Sequence, residues 1–202
     1  MRIVGILLAA GRGTRFGGDK LLAPLREASF RVPAHTPLGA AAAMHLAFAL
    51  PESIAVVRPG DDRLADALRR AGLHIVPCPH ADDGMGASLA CGVAATKDAD
   101  GWVVALADMP WIAPATIARV AESLRQGAGI AAPIHRGERG HPVGFARNHF
   151  AALAALTGDA GARPIVAAHA DALTLLDVDD AGVVRDVDTK AALAGGAHDT
   201  NG

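Results

Sequence analysis

Only two cysteines occur in the 202 residues, Cys78 and Cys91, and neither sits in a CxxC pair. That argues against a disulfide framework or a zinc-ligand pattern, and with them the usual markers of an oxidising compartment. Long apolar runs are missing as well. The alanine-rich stretch "GAAAAMHLAFAL" falls short of the roughly 20 apolar residues that a bilayer-spanning helix needs, so no membrane contact is expected. The opening "MRIVGILLAAG" has one base and a short apolar run, but Arg and Gly follow where a signal peptide would carry a cleavable polar segment. A cytoplasmic location is the expectation. Nor is one sign of charge in excess: 19 Lys and Arg stand against 21 Asp and Glu, a net charge of -2, which gives no footprint for nucleic acid. No internal repeat of solenoid length is visible.

What is present reads as a soluble globular chain, with 51% apolar and 20% charged residues, long enough to bury a substantial core. The near-neutral total hides a local imbalance. Residues 1 to 35 hold Arg2, Arg12, Arg15, Lys20, Arg26 and Arg31 against Asp19 and Glu27, a balance of +4 that leaves -6 for the remainder. A compact positive site in a mildly acidic chain suits a small anionic ligand.

Short apolar runs alternate with longer segments at helical spacing, the pattern of a parallel sheet with crossover helices. Strands are expected at 2–9, 54–58, 73–77, 102–107, 129–133, 142–146 and 173–178, and helices at 38–49, 62–71, 86–96, 114–126, 149–157 and 161–169. Asp61 or Asp62 can cap the second helix, and "PATIARVAESLRQG" starts the fourth on proline and stops it on glycine. With no long polar linker, one doubly wound α/β domain over residues 1–194 is expected, followed by a flexible tail at 195–202.

Open α/β sheets bind ligands beyond the carboxyl ends of their strands, and the first such end carries "LLAAGRGTRFGGDK". Glycines 11, 13, 17 and 18 allow backbone N–H groups to converge on a phosphate, with Arg15 and Lys20 adding charge; spacing alone also admits an ordinary glycine-rich surface loop. It is not a P-loop, since Asp19 separates Gly18 from Lys20 and Leu21 replaces the hydroxyl. It is not the dinucleotide fingerprint either, because the spacing is G-x-G-x-x-x-G and Arg58 stands where a ribose-binding acid belongs. Among acids, Asp108 in "WVVALADMPW" lies at the mouth of a buried strand, as a Mg2+ ligand or as a turn cap. Asp186 and Asp188 share a face if their segment is extended, or belong to a solvated acidic turn.

Six blocks in order resemble the MobA-like nucleotidyltransferases: "LAAGxGxRxGxxK" at 8–20, "DGMGASLACGV" at 83–93, "ALADMP" at 105–110, "RGHPVGF" at 139–145, "GDAGAR" at 158–163 and "DVDT" at 186–189. The set is most similar to the molybdenum cofactor cytidylyltransferase branch. That resemblance implies a Rossmann-like three-layer domain with a mostly parallel mixed sheet, of the nucleotide-diphospho-sugar transferase type. It implies transfer of CMP from CTP to the terminal phosphate of molybdopterin or molybdenum cofactor, with Mg2+ on Asp108 and Asp188 and with Asp186 in support. Arg15 and Lys20 would neutralise the triphosphate and act with Asp108 in catalysis. The nucleotide would meet Leu8, Ala9, Ala10, Gly11, Gly13, Gly84, Gly86 and Ser88. Ser88 can equally be a helix cap.

On the acceptor side the resemblance places Arg139 and His141, with Asp159 and Arg163 either ordering the acceptor loop or forming a surface pair. A molybdoenzyme receiving the product is the expected protein partner. Alternatives are GTP as donor, a sugar phosphate as acceptor, and a carrier that holds the cofactor without turnover. Two segments depart from the family pattern: residues 26–38 are longer than its turn, and Lys190 replaces its proline. His45 and Cys91 are expected to be packed helix residues.

Overall fold

β-branched and leucine-rich runs buried on both faces form the centre of the fold. The computed structural model describes residues 1–11, 13, 16, 19–26, 30, 32–189 and 193, and the statements below concern these. They contain strands β1 (Ile3–Leu8), β2 (Ser53–Val57), β3 (His74–Pro77), β4 (Gly101–Leu106), β5 (Ile130–His135), β6 (Glu138–Arg139), β7 (Val143–Ala146) and β8 (Leu173–Asp177). Helices are α1 (Leu38–Ala49), α2 (Asp62–Arg70), α3 (Met85–Ala95), α4 (Pro114–Arg125), α5 (Phe150–Ala154) and α6 (Arg163–Ala168). The sheet runs β3-β2-β1-β4-β7-β5-β6, with β8 also on β5. Every pairing on this path is parallel except those that β7 and β6 make. The two exceptions follow from chain length. Only seven residues separate β5 from β7, too few for a crossover, so the chain returns antiparallel.

Helices cover both faces, giving three layers. One core joins β1 and β4 to α1, α2 and α4 through Leu46, Leu68, Val120 and Leu124. The other joins the opposite sheet face to α3, α5 and α6 through Leu89, Val93, Leu153 and Ile165, with Trp102 and Phe145 wholly buried. The helix after β1 and the helix before β4 therefore lie on opposite faces, which opens a crevice between β1 and β4 at their carboxyl ends.

Local signals act as the residue types dictate. Asp61 caps α2 by accepting from the Leu64 amide at 3.4 Å. Pro114 opens α4, and Gly127 adopts φ 102 just past its end. α1 is apolar almost all round and covered on two sides, although Phe48 stays 57% exposed. Beyond the sheet it meets a third cluster in which Phe16, Leu25, Val32 and Val187 pack on Leu38 and Ala41. That cover is held by a bridge between Pro24 and Pro37 and by a Leu25 amide bond to the Thr36 carbonyl at 2.9 Å. Of the unusual 26–38 segment, Phe30 and Val32 thus pack on α1, where His45 is buried with its ring edge-on to Phe30. No helix among the described residues is long and apolar enough to cross a membrane. The expected tail at 195–202 and Lys190 lie outside the described residues.

The two cysteines meet on the α3 side of the sheet. Cys78 Sγ lies 3.8 Å from the Ala87 carbonyl, one helical turn before Cys91. Burial, then the hydrogen bond and the charge of Cys78, push the Cys91 thiol up to about 12 from an ordinary 9.0. Cys91 should therefore react with iodoacetamide at pH 8 about a thousand-fold more slowly in the native protein than in urea. Equal rates, read by mass spectrometry, would contradict this packing.

Candidate active site

The cleft is built by three strand ends and two loops. β1 pairs Leu8 with Leu106 of β4 on one side and with Val56 of β2 on the other, so the turns that follow these strands leave the sheet together. Beyond them lies a cavity of about 950 Å³ whose walls include Leu8, Ala9, Ala10, Gly11, Gly13, Lys20, Gly84, Ser88 and Asp108. Arg15, expected here, lies outside the described residues, as do Gly17 and Gly18.

Lys20 starts a short 3-10 turn, Lys20–Leu22, in which the Ala23 amide returns to the Lys20 carbonyl at 3.1 Å. Leu21 and Leu22 of that turn pack on the α1 side of the core, and Gly39 leaves room for Leu21, whose Cβ would lie 3.2 Å from a side chain there. Anchored this way, Lys20 is only 9% exposed. Its ammonium donates to Asp108 Oδ2 at 2.9 Å and to Asp188 Oδ1 at 3.5 Å.

Asp108 follows β4 in a turn closed by the Met109 amide on the Leu106 carbonyl, 3.2 Å, and by the Ala107 amide on Leu8, 3.1 Å. Asp186 and Asp188 come from the other end of the chain, and five contacts bring them in. Asp180 accepts from the Ala113 amide at 2.9 Å and from Thr116 Oγ1 at 2.6 Å, pinning the segment to the start of α4. Gly182 lies against the Trp111 carbonyl, where a Cβ would come within 2.3 Å. The His141 amide bonds the Val183 carbonyl at 2.8 Å, and the Val187 amide bonds the Asp108 carbonyl at 3.0 Å. Val187 is fully buried between its two acids, so they project to the same side, as an extended chain requires.

The outcome is a carboxylate cluster. Oxygens of Asp108, Asp186 and Asp188 all lie within 4.8 Å of one another. Burial first, then the charges of Asp188 and Asp108, raise the Asp186 carboxyl above its ordinary range, while its own backbone hydrogen bond and Lys20 pull the other way. Carboxylates crowded to that extent, and compensated by one ammonium, fit a hard divalent cation with oxygen ligands.

The "DGMG" and "GDAG" blocks meet each other. Gly84 adopts φ 104, and a Cβ there would stand 2.4 Å from the Gly158 carbonyl carbon. Gly86 is similarly close to the Thr157 carbonyl oxygen, 2.5 Å, and its amide bonds the Gly158 carbonyl at 2.7 Å. Gly86 lies outside the cleft lining, and its small size is what lets α3 meet the 157–158 loop. Ser88 lies inside α3 and is no cap; its hydroxyl donates to the Gly84 carbonyl at 3.2 Å. Gly84→Ala should cost about 2 to 4 kcal/mol of stability in a urea melt. Gly11→Ala, where a Cβ would meet nothing within 4 Å, should stay within about 0.5 kcal/mol of wild type.

Of the four residues expected on the acceptor side, Asp159 lines the same cleft as Gly84, and Arg139 and Arg163 are exposed outside its lining. His141 joins them electrostatically. Its Nδ1 is buried without a hydrogen-bond partner, and burial lowers the ring to about 4, with Asp108 opposing and Arg139 and Arg163 reinforcing the shift. The imidazole is neutral at pH 7. Sequence reading gave no site role to Asp180, hidden in an acidic run, or to the cleft-lining Asp82, and it noted Asp61 only as a helix cap and Asp19 only as a break in P-loop spacing, although both line the cleft. It noted Arg58 only as a misfit to another motif.

Residues 5–173 match the MobA-like NTP transferase domain. The chain belongs to that family. It is a nucleotidyltransferase with a Rossmann-like α/β fold. Among its relatives are nicotine blue oxidoreductase of Paenarthrobacter nicotinovorans, 30% identical over 93% of this chain and 92% of the relative. The purine catabolism protein PucB of Bacillus subtilis is likewise 30% identical over 93% and 92%. A crystal structure of Rv0371c from Mycobacterium tuberculosis superimposes with a TM-score of 0.76 at 31% identity, covering 96% of this chain and 95% of that one. A second structure of Rv0371c is a manganese complex, 28% identical to this chain over 96% of it and 97% of that chain, again with a TM-score of 0.76.

Proposed function

We propose that this nucleotidyltransferase, within a single domain of residues 1–194, moves CMP from CTP to the terminal phosphate of molybdopterin or molybdenum cofactor and releases pyrophosphate. The observation that carries the reading is the convergence of Lys20, Asp108, Asp186 and Asp188 beside the glycine-rich turn at the β1/β4 crevice. An oxygen of the acceptor phosphate attacks the α-phosphorus, the bond from that phosphorus to the bridging oxygen breaks, and pyrophosphate leaves with the electron pair. No covalent enzyme intermediate is needed, so positioning and charge carry the catalysis.

Lys20 and Arg15 offset the triphosphate charge, and the amides of the Gly11 and Gly13 turn bind phosphate oxygens. Asp108 and Asp188 would hold Mg2+ with Asp186 beside them; the ion supplies charge neutralisation at the α-phosphate and the leaving group. Leu8, Ala9, Ala10, Gly84 and Ser88 shape the nucleoside end of the cleft. The "LAAG" turn resembles the cytidylyltransferase branch, which favours CTP over GTP. Arg139, His141, Asp159 and Arg163 face the acceptor, and the unpartnered Nδ1 of a neutral His141 offers a hydrogen bond to a pterin N–H group. A cytoplasmic location and hand-over of the product to a molybdoenzyme complete the reading.

Purified protein incubated with Mg2+, each nucleoside triphosphate and molybdopterin, with pyrophosphate followed, tests it. Release with CTP and molybdopterin alone is expected. Release only with GTP, or only with a sugar phosphate, reassigns the substrate, and tight pterin binding without pyrophosphate makes the protein a carrier.

A further inference from the structure

Arg58 stands at the carboxyl end of β2, and nothing in the reaction above uses it. The sheet fixes its place. Leu8 pairs with Val56, and the Ala9 amide donates to the Val56 carbonyl at 2.9 Å, so the residue two beyond Val56 comes to lie beside the Leu8–Gly11 turn. There Arg58 lines the cleft with Ala9, Ala10, Gly84 and Ser88. One corner of its guanidinium is anchored, because Nη1 donates to the Asp82 carboxylate in the loop before α3. Nε is buried and has no hydrogen-bond partner. The side chain is only 24% exposed, so bulk water does not answer that donor.

Distance decides which part of a nucleotide could. β2 and β4 flank β1, which sets the chain ends carrying Arg58 and Asp108 about 10 Å apart. With the phosphates at Lys20 and the carboxylate cluster, Arg58 falls at the nucleobase end.

We infer that Arg58, held by Asp82, reads the nucleobase, and that its unoccupied N–H edge selects a base with two adjacent acceptors. This rests on the nucleotidyltransferase reading and adds what chooses the base. With Nη1 committed to Asp82, Nε and Nη2 present two parallel N–H donors. Cytosine offers N3 and O2 side by side, and guanine offers O6 and N7. Uracil places an N–H donor between its carbonyls, and adenine sets its amino donor beside N1 and N7, so each leaves one arm of the fork unmatched. Arg58 thus favours cytosine and guanine over uracil and adenine.

The test is calorimetric binding of CTP, GTP, UTP and ATP, each with Mg2+, to the wild-type chain, Arg58→Met and Arg58→Lys. Wild type should bind CTP or GTP roughly tenfold or more tighter than UTP and ATP. In Arg58→Met that ratio should fall by about ten- to a hundred-fold while UTP affinity holds. Arg58→Lys, which keeps the charge and loses the fork, should lose the ratio as well, and it carries the test if the Met variant does not fold. Equal weakening of all four nucleotides, an unchanged ratio, or a wild-type preference for UTP or ATP overturns the inference while leaving nucleotide binding in place. No binding of any of the four overturns the nucleotidyltransferase reading and this inference with it.

Discussion

Asp108→Asn should lower kcat by on the order of 10³-fold and leave the fold intact. The substitution removes a charge with almost no change in volume, at a side chain that is 29% exposed. Its backbone carbonyl, which receives the Val187 amide, is untouched, so Asp186 and Asp188 stay in place. What disappears is the carboxylate at the junction of β4, Lys20 and the C-terminal segment. Pyrophosphate release under saturating Mg2+ and substrate measures the loss, and circular dichroism checks the fold. Turnover near the wild-type rate would remove Asp108 from the mechanism.

Lys20→Met has the second-largest expected effect, and it separates charge from structure. Three carboxylates within 4.8 Å would face one another without the ammonium that now compensates them. Without metal, the variant should lose about 1 to 3 kcal/mol of stability, held at that level because Asp188 is half exposed and solvent screens it. A divalent cation should restore most of this loss, so its stabilising effect in a thermal melt should be larger in the variant than in wild type. Activity should nonetheless drop on the order of 10²-fold even at saturating metal, because the cation replaces Lys20 among the carboxylates but not at the phosphates. A variant as stable as wild type without metal, and indifferent to its addition, would show that Lys20 and the cluster do not share charge.

Lys20 illustrates what sequence and structure each contribute. Its place after a glycine-rich turn at the end of the first strand points to a phosphate. Its short contacts to Asp108 and Asp188 depend on Leu21 and Leu22 seating against α1, and no local pattern encodes that. The same holds for "GMG", whose glycines look like room for a ligand in one dimension. In three, both Gly84 and Gly86 are also where α3 meets the 157–159 loop, while Gly84 still lines the cleft.

By itself the sequence determined every strand but the two-residue β6, most of the helices, and the alternation that makes a three-layer α/β fold. These follow from side-chain periodicity and turn chemistry within a few residues, and the expected helices at 38–49, 62–71, 86–96 and 114–126 lie within about a residue of α1 to α4. Its motifs also carried the family. Only the tertiary structure decided how Asp186 and Asp188 reach Asp108, because the contacts that bring them together, Asp180 on α4 and Val183 on the His141 amide, join segments distant along the chain. It alone brought Arg58 and Asp82 to the same wall of the cleft. Local preferences are set by near neighbours, whereas a site assembled across the carboxyl ends of several strands depends on the order in which those strands lie side by side.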